Sequence, residues 1–265
     1  MNAKLLFDPY CGTGTSLVEA NLLNINAIGT DLNPLAKLIA ITKTTLIKIQ
    51  TLDLYLRDFH DLMFTYKFGI NSRKSIVIPS FKNIDYWFSN DVKIKLAIIK
   101  EYIEKIDDVK IKNFFKIAFS ETIRDSSWTS NSEFKLVRMK QSKLNSFNPD
   151  VFGSMEFKLS RNRNGLVDFI KSKINGAKSK IYSFNTVSRI PKNIISLNSI
   201  DLILTSPPYG DSRTTVAYGQ FSRLSNQWLD VKDASNVDNN LMGGRKQEPH
   251  YKFGVKALDS LLHDM

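Results

Sequence analysis

The feature that most constrains this chain lies at its start. Leu5-Leu6-Phe7 is a short apolar run that stops at Asp8-Pro9, the pattern of a buried strand ending in a turn. Tyr10-Cys11-Gly12-Thr13-Gly14-Thr15 follows, and Ser16 to Leu23 reads as a helix. Ala27-Ile28-Gly29-Thr30-Asp31 is a second short strand ending in an acid. Pro34 stands where a first helical turn tolerates proline, and Leu35 to Lys43 reads as the next helix. Two strands, each followed by a turn and a helix, open a doubly wound parallel α/β sheet.

The pattern then changes. Residues 51–68, 90–106 and 108–124 carry helical periodicity, with Ile94, Leu96, Ile98, Ile99 and Ile103 as apolar positions of the second helix. Residues 125–165 are polar, Ser/Asn-rich and basic, and read as a mobile segment before a short amphipathic helix at 166–175. Strand signals return at Lys180 to Phe184 and at Leu202-Ile203-Leu204, with a helix near 221–229 and a last short helix at 255–263. The expected organisation is an α/β domain from 1–48 and 176–265, interrupted by a helical and basic insertion at 49–175.

A glycine turn between strand and helix lets a ligand approach the backbone closely. Asp31 stands 19 residues beyond Gly12, at the tip of the next strand. That is the spacing at which an acid meets the ribose hydroxyls of an adenosine-containing cofactor. The turn lacks the third glycine of a dinucleotide site, and Asp8 suits an ammonium group better than a diphosphate. The residues therefore favour S-adenosyl-L-methionine over a nicotinamide dinucleotide; the bland alternative is a plain strand–helix turn.

A second constellation directly follows the Leu202 strand: Thr205-Ser206-Pro207-Pro208-Tyr209-Gly210. Successive prolines fix φ and donate no backbone hydrogen bonds, giving a rigid bracket with free carbonyls. The Ser206 hydroxyl and the Pro207 carbonyl can both accept from one exocyclic amino group, and Tyr209 offers a face for an extruded base. An aryl amino group is a poor nucleophile, so orientation and electrostatics must supply the catalysis. The competing reading is a proline-stiffened loop.

Together, Asp-Pro-Tyr-Cys-Gly-Thr-Gly-Thr and Thr-Ser-Pro-Pro-Tyr-Gly resemble the bacterial DNA amino-methyltransferases of restriction–modification systems. Ala27 to Ala36 is similar to the cofactor half of that family, and Tyr86-Trp87-Phe88, Ser120 to Arg124, Phe134 to Arg138 and Asp211 to Ser222 are similar to an N4-cytosine-like branch. The resemblance implies a Rossmann-like class I S-adenosylmethionine-dependent methyltransferase sheet. It implies that Asp8, Tyr10, Gly12 and Gly14 line the methionine end, that Asp31 holds the ribose, and that Asn185 stands where the family often has an adenine-contacting acid. Ser206, Pro207, Pro208 and Tyr209 would form the catalytic motif; serine at its first position is usual for cytosine-N4 enzymes, Asp or Asn for adenine-N6 enzymes. The family's sheet has three more strands after this motif, whereas 56 residues follow Tyr209 here with no convincing buried strand. The expectation is a sheet with its C-terminal strands missing, from a truncated chain or one half of a split enzyme completed by a second polypeptide.

Composition bounds the partners. The chain has 265 residues, 42% of them hydrophobic, enough for a sizeable core. Its formal net charge of +11 favours a polyanion, expected here to be double-stranded DNA, although a Lys-rich codon bias would give the same excess. Arg138, Lys140, Asp211 and Arg213 are the nucleic-acid candidates, and Lys143, Lys158, Arg161 and Arg163 add to the basic stretch; a solvated loop explains them equally well. The three tryptophans read more readily as packing residues than as stacking platforms. Lone His60, His250 and His263 lack metal spacing, so no metal is assigned. One cysteine, no secretory signal and no apolar run near 18 residues point to a cytoplasmic protein without a membrane span. The expected function is methylation of cytosine N4 in DNA, with a cognate restriction endonuclease in the same system; the sequence leaves open an adenine-N6 DNA methyltransferase, an RNA or protein amide methyltransferase and an inactive fragment.

Overall fold

Four strands and nine helices are formed by the residues that the computed structural model describes, which are 3–69, 76–130, 136–173, 176–186, 188–206, 218–237 and 241. The strands are β1 (Leu5–Asp8), β2 (Asn26–Thr30), β3 (Ser179–Tyr182) and β4 (Leu202–Ile203). They pair in the order β3-β2-β1-β4, every pairing parallel. Helices α1 (Thr15–Leu22) and α2 (Pro34–Thr44) make the first crossovers. Parallel strands cannot be joined by a hairpin, so each needs such a crossover. Asn33 starts α2 by accepting the Leu35 N–H at 3.1 Å, and Pro34 occupies the first helical position. β4 is locked to β1 at its entry, where Asp201 Oδ2 accepts the Lys4 and Leu5 N–H groups at 2.8 and 2.9 Å.

The excursion between β2 and β3 is helical: α3 (Ile49–Lys67), α4 (Ile84–Trp87), α5 (Asn90–Glu104), α6 (Val109–Ser126), α7 (Gln141–Leu144) and α8 (Val151–Ser172). Ser89 caps α5, and Asp108 caps α6 by accepting two N–H groups. These helices have their own core, built on Phe59, Leu96, Ile99, Phe115, Phe119 and Met155. Leu224 and Trp228 of α9 (Tyr218–Trp228) belong to that core too, although α9 follows the return to the sheet. A smaller cluster of Leu6, Cys11, Leu17, Ala20, Ala27 and Ala40 packs sheet against α1 and α2.

One expectation is overturned. The stretch 125–165, read as a mobile basic segment before a short helix, holds α7 and most of the 22-residue helix α8. Asp150 caps α8 by accepting the Gly153 N–H at 3.0 Å, and Val151, Phe152, Met155, Leu159, Leu166 and Phe169 form its buried stripe. Among Ser, Asn and Arg, that stripe is sparse but keeps helical spacing. The helix expected at 255–263 lies outside the described residues, as do the residues from 242 onward. Among the described residues, no helix is long and apolar enough to cross a membrane.

Candidate cofactor and target-base site

Because all four strands run the same way, their carboxyl ends share one edge of the sheet. Asp8 ends β1, Thr30 ends β2 with Asp31 next, and β3 ends at Tyr182, three residues before Asn185. β4 ends at Ile203, three residues before Ser206. Ligands of open parallel sheets bind at this edge. Four separate stretches of sequence singled out for chemistry are thus brought to one side.

The turn after β1 is fixed by hydrogen bonds from both flanks. Cys11 N–H donates to the Thr30 carbonyl at 3.0 Å, and the Thr30 hydroxyl donates to the Pro9 carbonyl at 2.7 Å. Asp31 spans the gap between the two strand ends: Oδ2 accepts the Gly12 N–H at 3.0 Å and Oδ1 accepts the Asn33 N–H at 2.7 Å. Asp8 is buried, with Oδ1 accepting the Tyr10 N–H at 3.1 Å and Oδ2 accepting from the Ser16 hydroxyl. Asp8 therefore braces the turn from beneath, while Asp31 ties its front to β2. Tyr10 is half-buried and Asn185 is exposed, its carbonyl accepting from the Ser188 and Arg189 N–H groups.

The two turn glycines do different jobs. Gly12 has φ +51, and a Cβ built there meets nothing within 4 Å. Gly14 has φ +80, and its Cβ would fall 2.8 Å from the Ala40 Cβ of α2. Gly14 lets a helix pack; Gly12 keeps open space beside a carboxylate. Gly29, on β2, is needed for a similar reason to Gly14, since a Cβ there would fall 2.9 Å from Cys11 Sγ.

Burial raises the Asp31 pKa, and the Asn33 and Gly12 N–H groups pull it partly back. Its carboxylate is held by two donors yet only half-buried, so it retains capacity to accept from a ligand hydroxyl. Burial, with the charges of Asp31 and Asp8, pushes the Cys11 thiol up to about 12, so it stays protonated. The open space over Gly12 and the adjacent acid fit an adenosine-bearing cofactor. A separate cavity of about 410 Å³ lies between α1, α2, α6 and α8, walled mostly by apolar side chains such as Phe114, Leu166 and Phe169, and meets the turn at Thr15.

Ser206 is exposed at the β4 edge. Pro207, Pro208, Tyr209, Asp211 and Arg213 lie outside the described residues. The basic candidates divide. Lys158 is buried against Asp125 at 2.7 Å, Arg161 makes a two-pronged pair with Glu121, and Arg163 does so with Asp53. All three are engaged in ion pairs between helices; Lys158 is buried, whereas Arg161 and Arg163 stay partly exposed. Arg138 stacks on Tyr86 and Trp128, and Lys140 is exposed. Of the tryptophans, Trp228 is fully buried in the core. His60 pairs with Glu156, and no cluster of metal-ligating side chains occurs among the described residues.

The sequence reading missed a link behind the site. Asn33 Nδ2 donates to the buried Ser222 hydroxyl at 3.0 Å, joining the loop of Asp31 to α9. Pro34 marked a helix start in the sequence, but nothing there pointed to Asn33 and Ser222 as partners.

No family model and no solved structure matches the chain. It is 40% identical over 256 residues to the Type II methyltransferase M.MvaI of Kocuria varians, an alignment covering 91% of this chain and 55% of the relative. The chain thus spans about half the length of the curated relative it matches. This likeness supports the resemblance to restriction–modification DNA methyltransferases drawn from the paired motifs.

Proposed function

We propose that this chain carries the cofactor site and target-base motif of a DNA methyltransferase that modifies the exocyclic N4 of cytosine within a restriction–modification system. The observation that carries the reading is the parallel register, which puts the glycine turn, Asp31, Asn185 and Ser206 at one sheet edge. The all-parallel order β3-β2-β1-β4 is compatible with a Rossmann-like class I methyltransferase sheet and supports that reading. S-adenosylmethionine, when bound, supplies an electrophilic methyl group. Gly12 gives it room, Asp31 accepts from the ribose hydroxyls, and Asp8 and Tyr10 hold the turn against the methionine end.

The target base leaves the duplex stack, since its amino group is otherwise paired. The Ser206 hydroxyl and the Pro207 carbonyl each accept one amino proton, which aims the nitrogen lone pair away from the ring plane. Tyr209 holds the base by stacking. Serine at the head of the motif favours cytosine over adenine. Among the described residues no strand pairs with the outer edge of β4, and Ile203 and Leu204 are exposed, which supports a further strand there, from the rest of the protein or from a second polypeptide.

Mass spectrometry of DNA digested after incubation with the protein and S-adenosylmethionine tests the reading. N4-methylcytosine is expected, and S206A should lower its yield by roughly 10²-fold or more, the scale of losing one oriented catalytic hydrogen bond. N6-methyladenine would correct the base, and 5-methylcytosine would overturn the mechanism.

A further inference from the structure

Arg138 is presented in a way that none of the other described basic residues is. Residues 128–130 and 136–139 pair antiparallel, with Ser130 N–H donating to the Val137 carbonyl at 2.7 Å and Met139 N–H to the Trp128 carbonyl at 2.8 Å. Trp128 N–H in turn donates to the Trp87 carbonyl at 2.8 Å, which fastens this ribbon to α4. The Arg138 guanidinium lies 4.4 Å from the Tyr86 ring centroid and 4.9 Å from that of Trp128. Its Nε is buried without a hydrogen-bond partner, and no carboxylate pairs with it among the described residues. By contrast, Arg161 and Arg163 are each neutralised by two-pronged carboxylate pairs.

The ribbon is also tied to the reaction site. Leu136 N–H donates to Gln220 Oε1 at 3.3 Å on α9. The neighbouring Ser222 accepts from Asn33, two residues from Asp31. Arg124 stacks on Phe221 at 3.0 Å and donates to its carbonyl, adding a second clamp on the same turn of α9. A chain of named contacts therefore runs from the cofactor acid through α9 to Arg138.

We infer that Arg138 is a specificity-determining residue that reads a guanine edge of the recognition sequence, an inference that rests on the DNA-methyltransferase reading above. Two rings hold the guanidinium and its Nε is buried, so its terminal Nη groups are the donors left for a ligand. That geometry matches the O6 and N7 acceptors of guanine in the major groove, which a two-stranded ribbon can enter. A phosphate contact needs no such fixed plane, and the long flexible Lys140 beside it on the ribbon's exit suits that role better.

The test uses the intact protein with whatever second chain its activity requires. Its methylated motif is first read by sequencing DNA from a methyltransferase-deficient bacterial host. Duplexes carrying that motif are then made with 7-deazaguanine at each guanine in turn. One replacement should lower wild-type kcat/KM roughly 5-fold or more, since it deletes the N7 half of a bidentate contact worth about 5- to 150-fold in all. In R138K that same replacement should cost little, and the methylated motif should relax at that position alone. An unchanged motif with an undiminished 7-deazaguanine penalty would overturn the inference. So would a uniform, salt-sensitive loss across all sequences, which assigns Arg138 to the backbone. Should R138K not fold, Y86L keeps the charge but removes one stacking face, and should show the same relaxation in weaker form; a Y86L enzyme with wild-type motif and penalty overturns the proposal. Wild-type protein that leaves no methylated base in DNA defeats the functional reading itself, and this inference with it.

Discussion

Substituting the two turn glycines separates packing at Gly14 from the room proposed for a ligand at Gly12. In G14A the new side chain stands at φ +80, a left-handed conformation costing an L-residue about 1–2 kcal/mol. Its Cβ also lies 2.8 Å from the Ala40 Cβ and 3.0 Å from the Ala40 Cα, so helix α2 must shift. Overpacking of this kind costs a further ~1–3 kcal/mol, for a total of about 2–5 kcal/mol. In G12A only the conformational cost applies, about 1–2 kcal/mol, because the space around that Cβ is open. For a protein near this size each ~1 kcal/mol lowers Tm by roughly 2–4 °C, so G12A should melt about 2–8 °C below wild type and G14A well below that. Affinity should divide the other way. The G12A methyl occupies the space proposed for the cofactor, and calorimetric affinity for S-adenosylhomocysteine should fall at least about tenfold, equivalent to ~1.4 kcal/mol. A G12A protein that binds the ligand as tightly as wild type, with the same ligand-induced rise in Tm, would show that nothing approaches the backbone at Gly12.

Two further outcomes are expected. Asp31 has its pKa raised by burial, so the folded state holds the proton more tightly than the unfolded chain, and the stability Asp31 contributes is full below the ordinary value of 3.8 and lost as pH rises through the raised value. Ribose binding needs the ionised form, so cofactor affinity should move oppositely, full above that raised pKa and falling as pH drops through it; a pH-independent calorimetric affinity down to pH 4 would remove Asp31 from the site. C11S should keep both activity and product, and the native thiol should resist an aromatic disulfide reagent that labels it at once after unfolding, because Cys11 is buried and its pKa is pushed up to about 12; rapid labelling of the native protein would contradict this.

The glycine turn was legible because its signals are local. Short apolar runs bounded by Asp-Pro, Gly and Asn-Pro fix β1, β2 and the starts of α1 and α2 with no knowledge of partners. The helices α5 and α6 were legible through helical periodicity, in α5 through Ile94, Leu96, Ile98, Ile99 and Ile103. Helix α8 was not. Its stabilising charges meet partners far along the chain: Lys158 with Asp125 on α6, Arg161 with Glu121 on α6, and Arg163 with Asp53 on α3. Read in one dimension these cations look like a solvated or DNA-facing run. Folded, they pair with carboxylates on neighbouring helices, and the buried Lys158 shows why a basic stretch alone is a weak pointer to nucleic acid. The contact of Arg138 with two rings was equally hidden, because Tyr86 lies 52 residues before it and Trp128 across a ribbon.

The link between Asn33 and Ser222 shows how the two halves of the site can hold a common geometry. Asn33 uses its side-chain oxygen to start α2 and its amide to reach Ser222. Ser222 donates to the Gly219 carbonyl at 3.2 Å and accepts from Asn226 at 3.3 Å, so its one donor and both acceptor positions are filled. Asn33, Ser222 and Asn226 are all buried, where such a network is stiff and where removing one member leaves another unpaired. The loop that places the Asp31 carboxylate is therefore pinned to α9, which begins nine residues after Tyr209. α9 is itself anchored in the helical core by Leu224 and Trp228 and to the ribbon through Gln220. Methyl transfer tolerates little error in the distance between donor and acceptor. A single helix that touches the cofactor loop, the helical core and the Arg138 ribbon gives those three parts one rigid reference.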